Sequence, residues 1–172
     1  MDSGRAIELL KDGNRRHTAG EPLHPRQNPS RRTELVPGQK PWAAVVGCAD
    51  SRVPPEIVFD QGLGDLFVIR TAGHVVDAAV LASIEYAVEH LNVPLVVVLG
   101  HRGCGAVAAA LQRRPDEAED CLCAAIRPAI ARARLCPGDL CDQTVRAHVQ
   151  GVADGLRQTI TARHGGRAAV VG

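Results

Sequence analysis

The stretch LVVVLGHRGCG, residues 95–105, decides how the chain folds. Its first half is a short apolar run that ends at a glycine, which predicts a buried strand over 95–100. Two similar runs, AAVVG at 43–47 and LFVIR at 66–70, predict two more buried strands. Between the second and third strands, apolar residues recur at spacings of three and four, as on one face of a helix. A strand, a helix and a strand in this order predict a right-handed parallel crossover.

The rest of the chain adds helices and an arm around this sheet. A helix is predicted over 3–17, with Ser3 as its cap and a break at Gly13-Asn14. Residues 20–41 contain five prolines and no apolar periodicity, which predicts an extended arm and not a helix. Three further helices are predicted at 104–112, 117–135 and 143–164, and a fourth strand is predicted at 168–171.

The composition agrees with strands covered by helices. Hydrophobic residues make up 45% of the 172 positions, but only four are Trp, Tyr or Phe, so aliphatic side chains must form most of the core. We therefore expect an α/β fold, a single-domain three-layer sandwich over 1–172. It has a mostly parallel central sheet of about four strands and an extended N-terminal helix and arm (1–41) that pack on a partner subunit.

Charge and hydropathy exclude several function classes. Twenty basic and 19 acidic residues give a net charge of +1, which favours neither nucleic acid nor a membrane surface as a partner. The N-terminus has no apolar signal region, and the longest apolar run, 93–99, is too short to span a bilayer. We expect a soluble, cytoplasmic protein. The six cysteines are not expected to form a disulfide framework, and in a reducing compartment the cysteines that matter tend to bind metal or do chemistry.

Potential metal ligands follow two of the three predicted strands. Cys48 comes directly after the first strand, and His101 and Cys104 come after the third. Ligands of open α/β sheets bind at the carboxyl ends of the strands, so the three side chains converge if these strands are neighbours. Thiolate and imidazole are ligands of tetrahedral zinc, and three of them leave the fourth position open, as in catalytic sites. The alternatives are buried cysteines that act only as small hydrophobes and a Cys–His nucleophile pair.

An acidic and a basic residue lie beside the first potential ligand. Asp50 and Arg52 alternate just after Cys48. The guanidinium fork of arginine can hold a carboxylate in a bidentate pair, and a carboxylate held in this way can accept a hydrogen bond from zinc-bound water. The alternative is a surface ion pair of little energetic value.

Several motifs occur together in the first two thirds of the chain. They are CADSRVPPE at 48–56, FDQGLGDLF at 59–67, RTAG at 70–73, SIEYAV at 83–88 and GHRGCGA at 100–106. In these motifs the chain resembles the β-class carbonic anhydrases. The resemblance is strong over roughly 3–114 and loose over the C-terminal helices.

The resemblance implies a zinc enzyme. The implied reaction is the reversible hydration of carbon dioxide to bicarbonate and a proton by attack of zinc-bound hydroxide, with one Zn²⁺ per chain on Cys48, His101 and Cys104. Asp50 would orient the hydroxide, and Arg52 would orient Asp50 and keep it ionised. Two alternatives remain: a hydrolase of a CO₂ analogue such as CS₂ or COS on the same fold, and a non-catalytic protein that binds zinc and bicarbonate.

The resemblance also implies a substrate pocket and an oligomer. Gln39 corresponds to a glutamine that hydrogen-bonds the bound anion, usually across a subunit interface, and Phe67 and Tyr86 correspond to aromatic wall residues. Gly105 is assigned to the same pocket and, with Gly103, is expected to let the backbone turn tightly beside the metal. The alternative for Gln39 is an ordinary loop amide, and the alternative for Phe67 and Tyr86 is that they are core aromatics. CO₂ and bicarbonate are the implied small-molecule partners, and a homodimer or tetramer is the implied assembly.

Other positions depart from the family pattern or lack a motif. Self-inhibiting members of the family resemble one another in a tryptophan three residues before the first Cys ligand. Here that position is Val45, so an open site with Asp50 paired to Arg52 is expected. His74 is interpreted as a packed turn residue, with an effect on proton egress as the alternative. Four further cysteines are interpreted as free thiols on helices, with a second zinc site as the alternative: Cys121, Cys123, Cys136 and Cys141.

Overall fold

The computed structural model describes residues 1–113 and 120–172, and its four strands form one sheet. All three pairings are parallel, and the strand order is β2-β1-β3-β4. Each predicted strand is confirmed, with ends that differ by one residue. The predicted crossover connects β2 to β3, but both strands flank β1, so β1 and β3 are neighbours. The strands are β1 (Ala43–Cys48), β2 (Leu66–Thr71), β3 (Leu95–Leu99) and β4 (Ala169–Val171).

Helices cover both faces of this sheet, which confirms the predicted three-layer α/β fold. Alternate residues of β1 point to opposite faces. Ala44 and Val46 pack with α4 and α7, whereas Ala43 and Val45 pack with α1 on the other face. Within the described residues, no helix is both long and apolar enough to cross a bilayer. The helices are α1 (Ser3–Ala19), α2 (Pro29–Glu34), α3 (Pro55–Val58), α4 (Ala78–Glu89), α5 (Gly105–Gln112), α6 (Cys121–Ala133) and α7 (Leu140–His164).

The N-terminal helix differs from its prediction at both of the residues that were singled out. Asp2, and not Ser3, caps α1, because its Oδ1 accepts a hydrogen bond from the Arg5 N–H at 2.8 Å. The helix also continues through Gly13 to Ala19. A Cβ at Gly13 would lie 1.7 Å from the carbonyl O of Phe59. The glycine therefore allows α1 to pack closely against the chain that follows α3, and it does not break the helix.

The arm is not wholly extended, so the prediction of no helix over 20–41 is wrong at α2. This short helix begins because Asn28 accepts a hydrogen bond from the Arg31 N–H at 2.9 Å and because proline is tolerated in a first turn. The arm is fixed to the body of the protein by a buried carboxylate, Asp60. Its oxygens accept hydrogen bonds from the N–H groups of Leu23 and His24, both at 3.0 Å.

The C-terminal helices agree with the predicted ones in number and order but not in their ends. α7 begins three residues before the predicted 143, because Asp139 caps it by accepting a hydrogen bond from the Asp142 N–H at 2.8 Å. α6 begins at Cys121, with Asp120 as its cap. The predicted start of this helix at Glu117 lies outside the described residues.

Candidate metal centre

The three candidate ligands meet at the carboxyl edge of the sheet. Cys48 is the last residue of β1, while His101 and Cys104 lie in the turn between β3 and α5. Because β1 and β3 are adjacent and parallel, these two chain segments leave the sheet side by side. The ligand atoms all lie within 4.8 Å of one another, and the two Sγ atoms are 3.9 Å apart. The expected convergence is confirmed.

The donor set fits zinc in its geometry and its protonation. Two thiolates on tetrahedral zinc, each at about 2.3 Å, lie about 3.8 Å apart, close to the observed separation of Cys48 and Cys104. Nδ1 of His101 lies 3.0 Å from the carbonyl O of Arg102. Since a carbonyl can only accept, Nδ1 carries the proton and donates it. Nε2 is left as a buried lone pair with no hydrogen-bond partner, as a metal ligand requires.

Both cysteine thiols are buried, which affects their ionisation. Cys48 is 5% exposed and Cys104 is fully buried. Burial raises the pKa of the Cys104 thiol, and the neighbouring Cys48 raises it further. A bound divalent cation has the opposite effect, because it stabilises the thiolate form of both side chains.

The glycines of the second turn have different roles. Gly103 has a φ of 63°, in the left-handed region that favours glycine, and so permits the sharp turn before Cys104. Gly105 has no positive φ, and a Cβ there would meet no atom within 4 Å. The expectation that Gly105 shapes the turn is therefore wrong. It is instead the first residue of α5, whose N-terminus carries a partial positive charge beside Cys104.

Asp50 and Arg52 form a bidentate pair at the rim of the ligand group. Nε of Arg52 donates to Oδ1 of Asp50 at 2.9 Å, and Nη2 donates to Oδ2 at 2.7 Å. The Arg52 side chain hydrogen bond lowers the pKa of Asp50 well below its usual range. Nη2 also donates to the carbonyl O of Gly103 at 3.1 Å, which links the two ligand turns. Oδ2 of Asp50 lies 3.8 Å from Nε2 of His101, so the ionised carboxylate borders the ligand atoms.

Arg70 supports the first turn, a role that the sequence analysis did not assign. It lies near the end of β2, opposite Gly47. Its Nε donates to the carbonyl O of Cys48 at 2.8 Å, and its Nη2 donates to the carbonyl O of Asp50 at 2.5 Å. A charged residue at the end of an otherwise apolar strand was the available signal.

A family comparison agrees with this geometry. The model of a family described as carbonic anhydrase matches residues 43–165. The chain belongs to the carbonic anhydrase family. The fold also matches the structure of a β-carbonic anhydrase from Coccomyxa in complex with acetazolamide, with a TM-score of 0.69 and 28% identity. That match covers 81% of this chain and 68% of the other, and it confirms the resemblance to the β class.

Curated members of the carbonic anhydrase family are more similar in sequence. "Carbonic anhydrase 2" of Mycobacterium tuberculosis is 66% identical over 106 residues, which are 62% of this chain and 51% of that protein. "Carbonic anhydrase" of Mycolicibacterium smegmatis is 63% identical over 114 residues, which are 66% of this chain and 55% of that protein. The chain spans about half the length of the curated relatives it matches.

Two of the residues assigned to the substrate pocket of this carbonic anhydrase family member, Phe67 and Tyr86, lie away from the ligand group of their own chain, and a third, Gln39, lies in the arm. Phe67 lies opposite Ala44, four residues before Cys48 along β1, a rise of about 13 Å. Tyr86, on α4, is 46% exposed, and its ring centroid is 6.2 Å from that of Phe67. Gln39 is exposed in the arm, where its side chain makes no hydrogen bond to the described residues.

The four further cysteines form no second metal group in the described part of the chain. There, the ligand set at the sheet edge is the one group of three or more potential ligands that the structure contains. Cys121 and Cys123 lie on α6 and Cys141 lies on α7, as expected for thiols on helices, but Cys136 lies in the turn between these helices. All four are free.

Proposed function

We propose that this protein catalyses the zinc-dependent, reversible hydration of carbon dioxide to bicarbonate and a proton. The observation that carries the proposal is one constellation at the sheet edge. Two thiols and an imidazole nitrogen lie within 4.8 Å of one another, and an ionised carboxylate lies 3.8 Å from that nitrogen. Membership of the carbonic anhydrase family supports the same reaction.

Cys48, His101 and Cys104 would hold one Zn²⁺ per chain. Zinc, when bound, supplies a Lewis acid that lowers the pKa of water toward about 7. The protein's part is to fix three ligands and leave room for a fourth. The hydrogen bond from Nδ1 of His101 to the carbonyl of Arg102 orients the ring for this purpose.

Asp50 would orient the reacting water, and Arg52 would hold Asp50. The carboxylate can accept a hydrogen bond from that water because Oδ2 faces the ligand atoms at 3.8 Å. The two hydrogen bonds from Arg52 keep Asp50 ionised and turned toward its partner, which favours an open fourth position over ligation by Asp50. In a crystal of the zinc protein near pH 8, an Asp50 oxygen at roughly 2 Å from zinc would contradict the open state.

The substrate wall would come from a second copy of the chain. Phe67 and Tyr86 lie apart from the metal group of their own chain, so a role at a metal site requires the site of a partner. The family resemblance gives Gln39 its role across a subunit interface as well. Tyr86 and Gln39 are exposed and therefore accessible to one. On this proposal the working form is a homodimer or a tetramer.

Zinc analysis beside stopped-flow CO₂ hydration tests the function. We expect one zinc per chain and rapid hydration that a chelator abolishes and added zinc restores. Parallel assays with CS₂ and COS address hydrolysis of these analogues. Zinc binding without turnover of CO₂ would contradict the proposal and favour a non-catalytic bicarbonate-binding protein, whereas faster turnover of CS₂ or COS would favour the hydrolase.

A further inference from the structure

A turn at the end of β2 contacts both of the chain segments that carry the three proposed zinc ligands. It comprises Ala72–His74 and follows Thr71, which is the sheet partner of Cys48. The carbonyl O of Thr71 accepts a hydrogen bond from the Ala49 N–H at 2.9 Å. The residue before the turn is thus joined to the residue that follows the first ligand.

The same turn contacts the backbone around the other two ligands. A Cβ added to Gly73 would lie 3.2 Å from Cβ of Ala106, two residues after Cys104. A Cβ added to Gly100, the residue before His101, would lie 3.6 Å from Cε1 of His74. Side chains of α7 come closer to this added Cβ, with Cγ2 of Val149 at 2.5 Å and Cγ1 of Val145 at 3.0 Å. The His74 ring therefore packs, together with α7, behind the point at which the chain leaves β3 for the second ligand turn.

A second histidine, on α7, fixes this turn from the other side. Nε2 of His148 lies 3.1 Å from the carbonyl O of Gly73, and because a carbonyl can only accept, Nε2 carries a proton and donates it. The rings of His74 and His148 pack with their centroids 4.6 Å apart and their planes at 41°. Both side chains are buried, at 0% and 4% exposure.

His74 is an unfavourable choice for a residue that only fills space. Its backbone φ of 45° lies in the left-handed region, which residues other than glycine rarely adopt. Neither of its ring nitrogens has a hydrogen-bond partner, although both are buried. Burial, together with the nearby His148 and His101, lowers the pKa of His74 to about 3, so the ring is neutral. Backbone strain and unpaired polar atoms of this kind concentrate at functional sites.

We propose that His74, held by His148, is a positioning residue for the metal site. Its ring sets the distance between the strand end that carries Cys48 and the turn that carries His101 and Cys104. This inference rests on the proposed zinc function. It adds that the turn after β2 determines how well the three ligands are arranged before zinc binds.

Cobalt substitution and zinc affinity measure ligand arrangement without using turnover. In His74→Ala, we expect roughly tenfold weaker zinc binding, as is typical when support for a ligand is lost. We also expect a changed visible spectrum of the Co²⁺ form, because the sulfur and nitrogen ligands are less well fixed. His148→Ala should show the same two changes in the Co²⁺ spectrum and in zinc affinity. His148→Gln should restore both, because its amide N–H can replace the donor to Gly73.

Ile84→Val provides a matched control. Ile84 is fully buried on α4 beneath the same sheet, in the cluster that contains Val98, and is not part of either ligand turn. It should lower the melting temperature and leave the Co²⁺ spectrum unchanged, which separates arrangement from stability. His74→Asn, whose side chain tolerates a positive φ, replaces His74→Ala if the latter does not fold.

The outcomes separate this inference from the proposed function. A wild-type protein that binds zinc, with His74 and His148 variants that keep its affinity and Co²⁺ spectrum, would overturn the positioning role alone. Failure of His148→Gln to recover either property would also overturn it. A wild-type protein that binds no zinc would overturn both proposals.

Discussion

The carboxyl edge of the sheet and the substrate-wall residues contrast in how a single chain places them. The ligand atoms of Cys48, His101 and Cys104 lie within 4.8 Å of one another, although Cys48 precedes the other two by 53 or more residues. Phe67 lies about 13 Å along the strands from that edge, and Tyr86 packs near its ring. One chain therefore contains a complete set of candidate metal ligands but not, by itself, the expected substrate wall.

The difference teaches which features strand topology can determine. Neighbouring parallel strands end at the same edge of a sheet, so residues directly after β1 and β3 must come together. No such constraint brings a residue in the first half of β2, or one on α4, to that edge. Their assignment comes from the family resemblance alone, and the predictions below test the two sets separately.

The largest expected effect comes from changing one of the three candidate metal ligands. Cys104→Ala should remove zinc and abolish CO₂ hydration, because two remaining ligands compete poorly with water for the ion. Zinc content by elemental analysis, measured beside stopped-flow hydration, checks this. One zinc per chain together with normal turnover in Cys104→Ala would remove this residue from the ligand set.

Cys121→Ala is the matched control for this change. Cys121 is an exposed thiol on α6 and lies outside the ligand group. The same substitution there should leave zinc content and turnover at wild-type levels. That result would show that the loss of zinc in Cys104→Ala is specific to this cysteine.

The next effect is at the rim of the site. Arg52→Ala should keep zinc but lower turnover by roughly 10- to 100-fold, because Asp50 loses both side-chain hydrogen bonds that orient it. Rate measurements across pH, with zinc content as the internal check, test this. Wild-type rates at every pH would show that the ion pair is only structural.

Mixing of variant subunits tests the residues assigned to the substrate pocket. Gln39→Ala should lower turnover roughly tenfold, as expected for the loss of one hydrogen bond of about 1.4 kcal/mol. If Gln39 acts at a partner's site, mixing this variant with inactive Cys104→Ala should raise the activity. Mixed dimers then contain one site with intact ligands and an intact partner glutamine. Activity that stays at the sum of the separate samples would place Gln39 at its own chain's site or at none.

The smallest expected effect on catalysis is at the anchor of the arm. Asp60→Asn should leave zinc content unchanged but lower the free energy of unfolding by about 1–3 kcal/mol at neutral pH. Burial opposes the ionised form, but hydrogen bonds from the Leu23 and His24 N–H groups and from Arg16 outweigh it and lower the pKa of Asp60. A carboxylate with a lowered pKa stabilises the fold above about pH 4, and this contribution is lost as the pH falls through the lowered pKa.

Urea unfolding of the wild type and Asp60→Asn at a series of pH values checks this sign. The difference in stability should be present at pH 7 and shrink below about pH 4. A difference that grows as the pH falls would contradict the role of the ionised carboxylate.

The sequence predicted the sheet and the convergence of the candidate ligands at its edge well, because both depend on short-range patterns. Apolar runs located all four strands to within one residue, and the ligands follow directly from the strand ends. It failed where a long-range contact decides the local structure. Gly13 lies inside α1 because its missing side chain allows the helix to pass close to Phe59, and Arg70 supports the ligand turn through carbonyl groups 20 and 22 residues away. Neither contact leaves a periodic signal.

The ligand set itself is tested most directly by zinc K-edge X-ray absorption of the purified protein near pH 8. Ligation by Cys48, His101 and Cys104 predicts two sulfur atoms at about 2.3 Å and two lighter atoms at about 2.0–2.1 Å, one of them the imidazole nitrogen. A shell of three or four sulfur atoms, or one without sulfur, would contradict this ligand set.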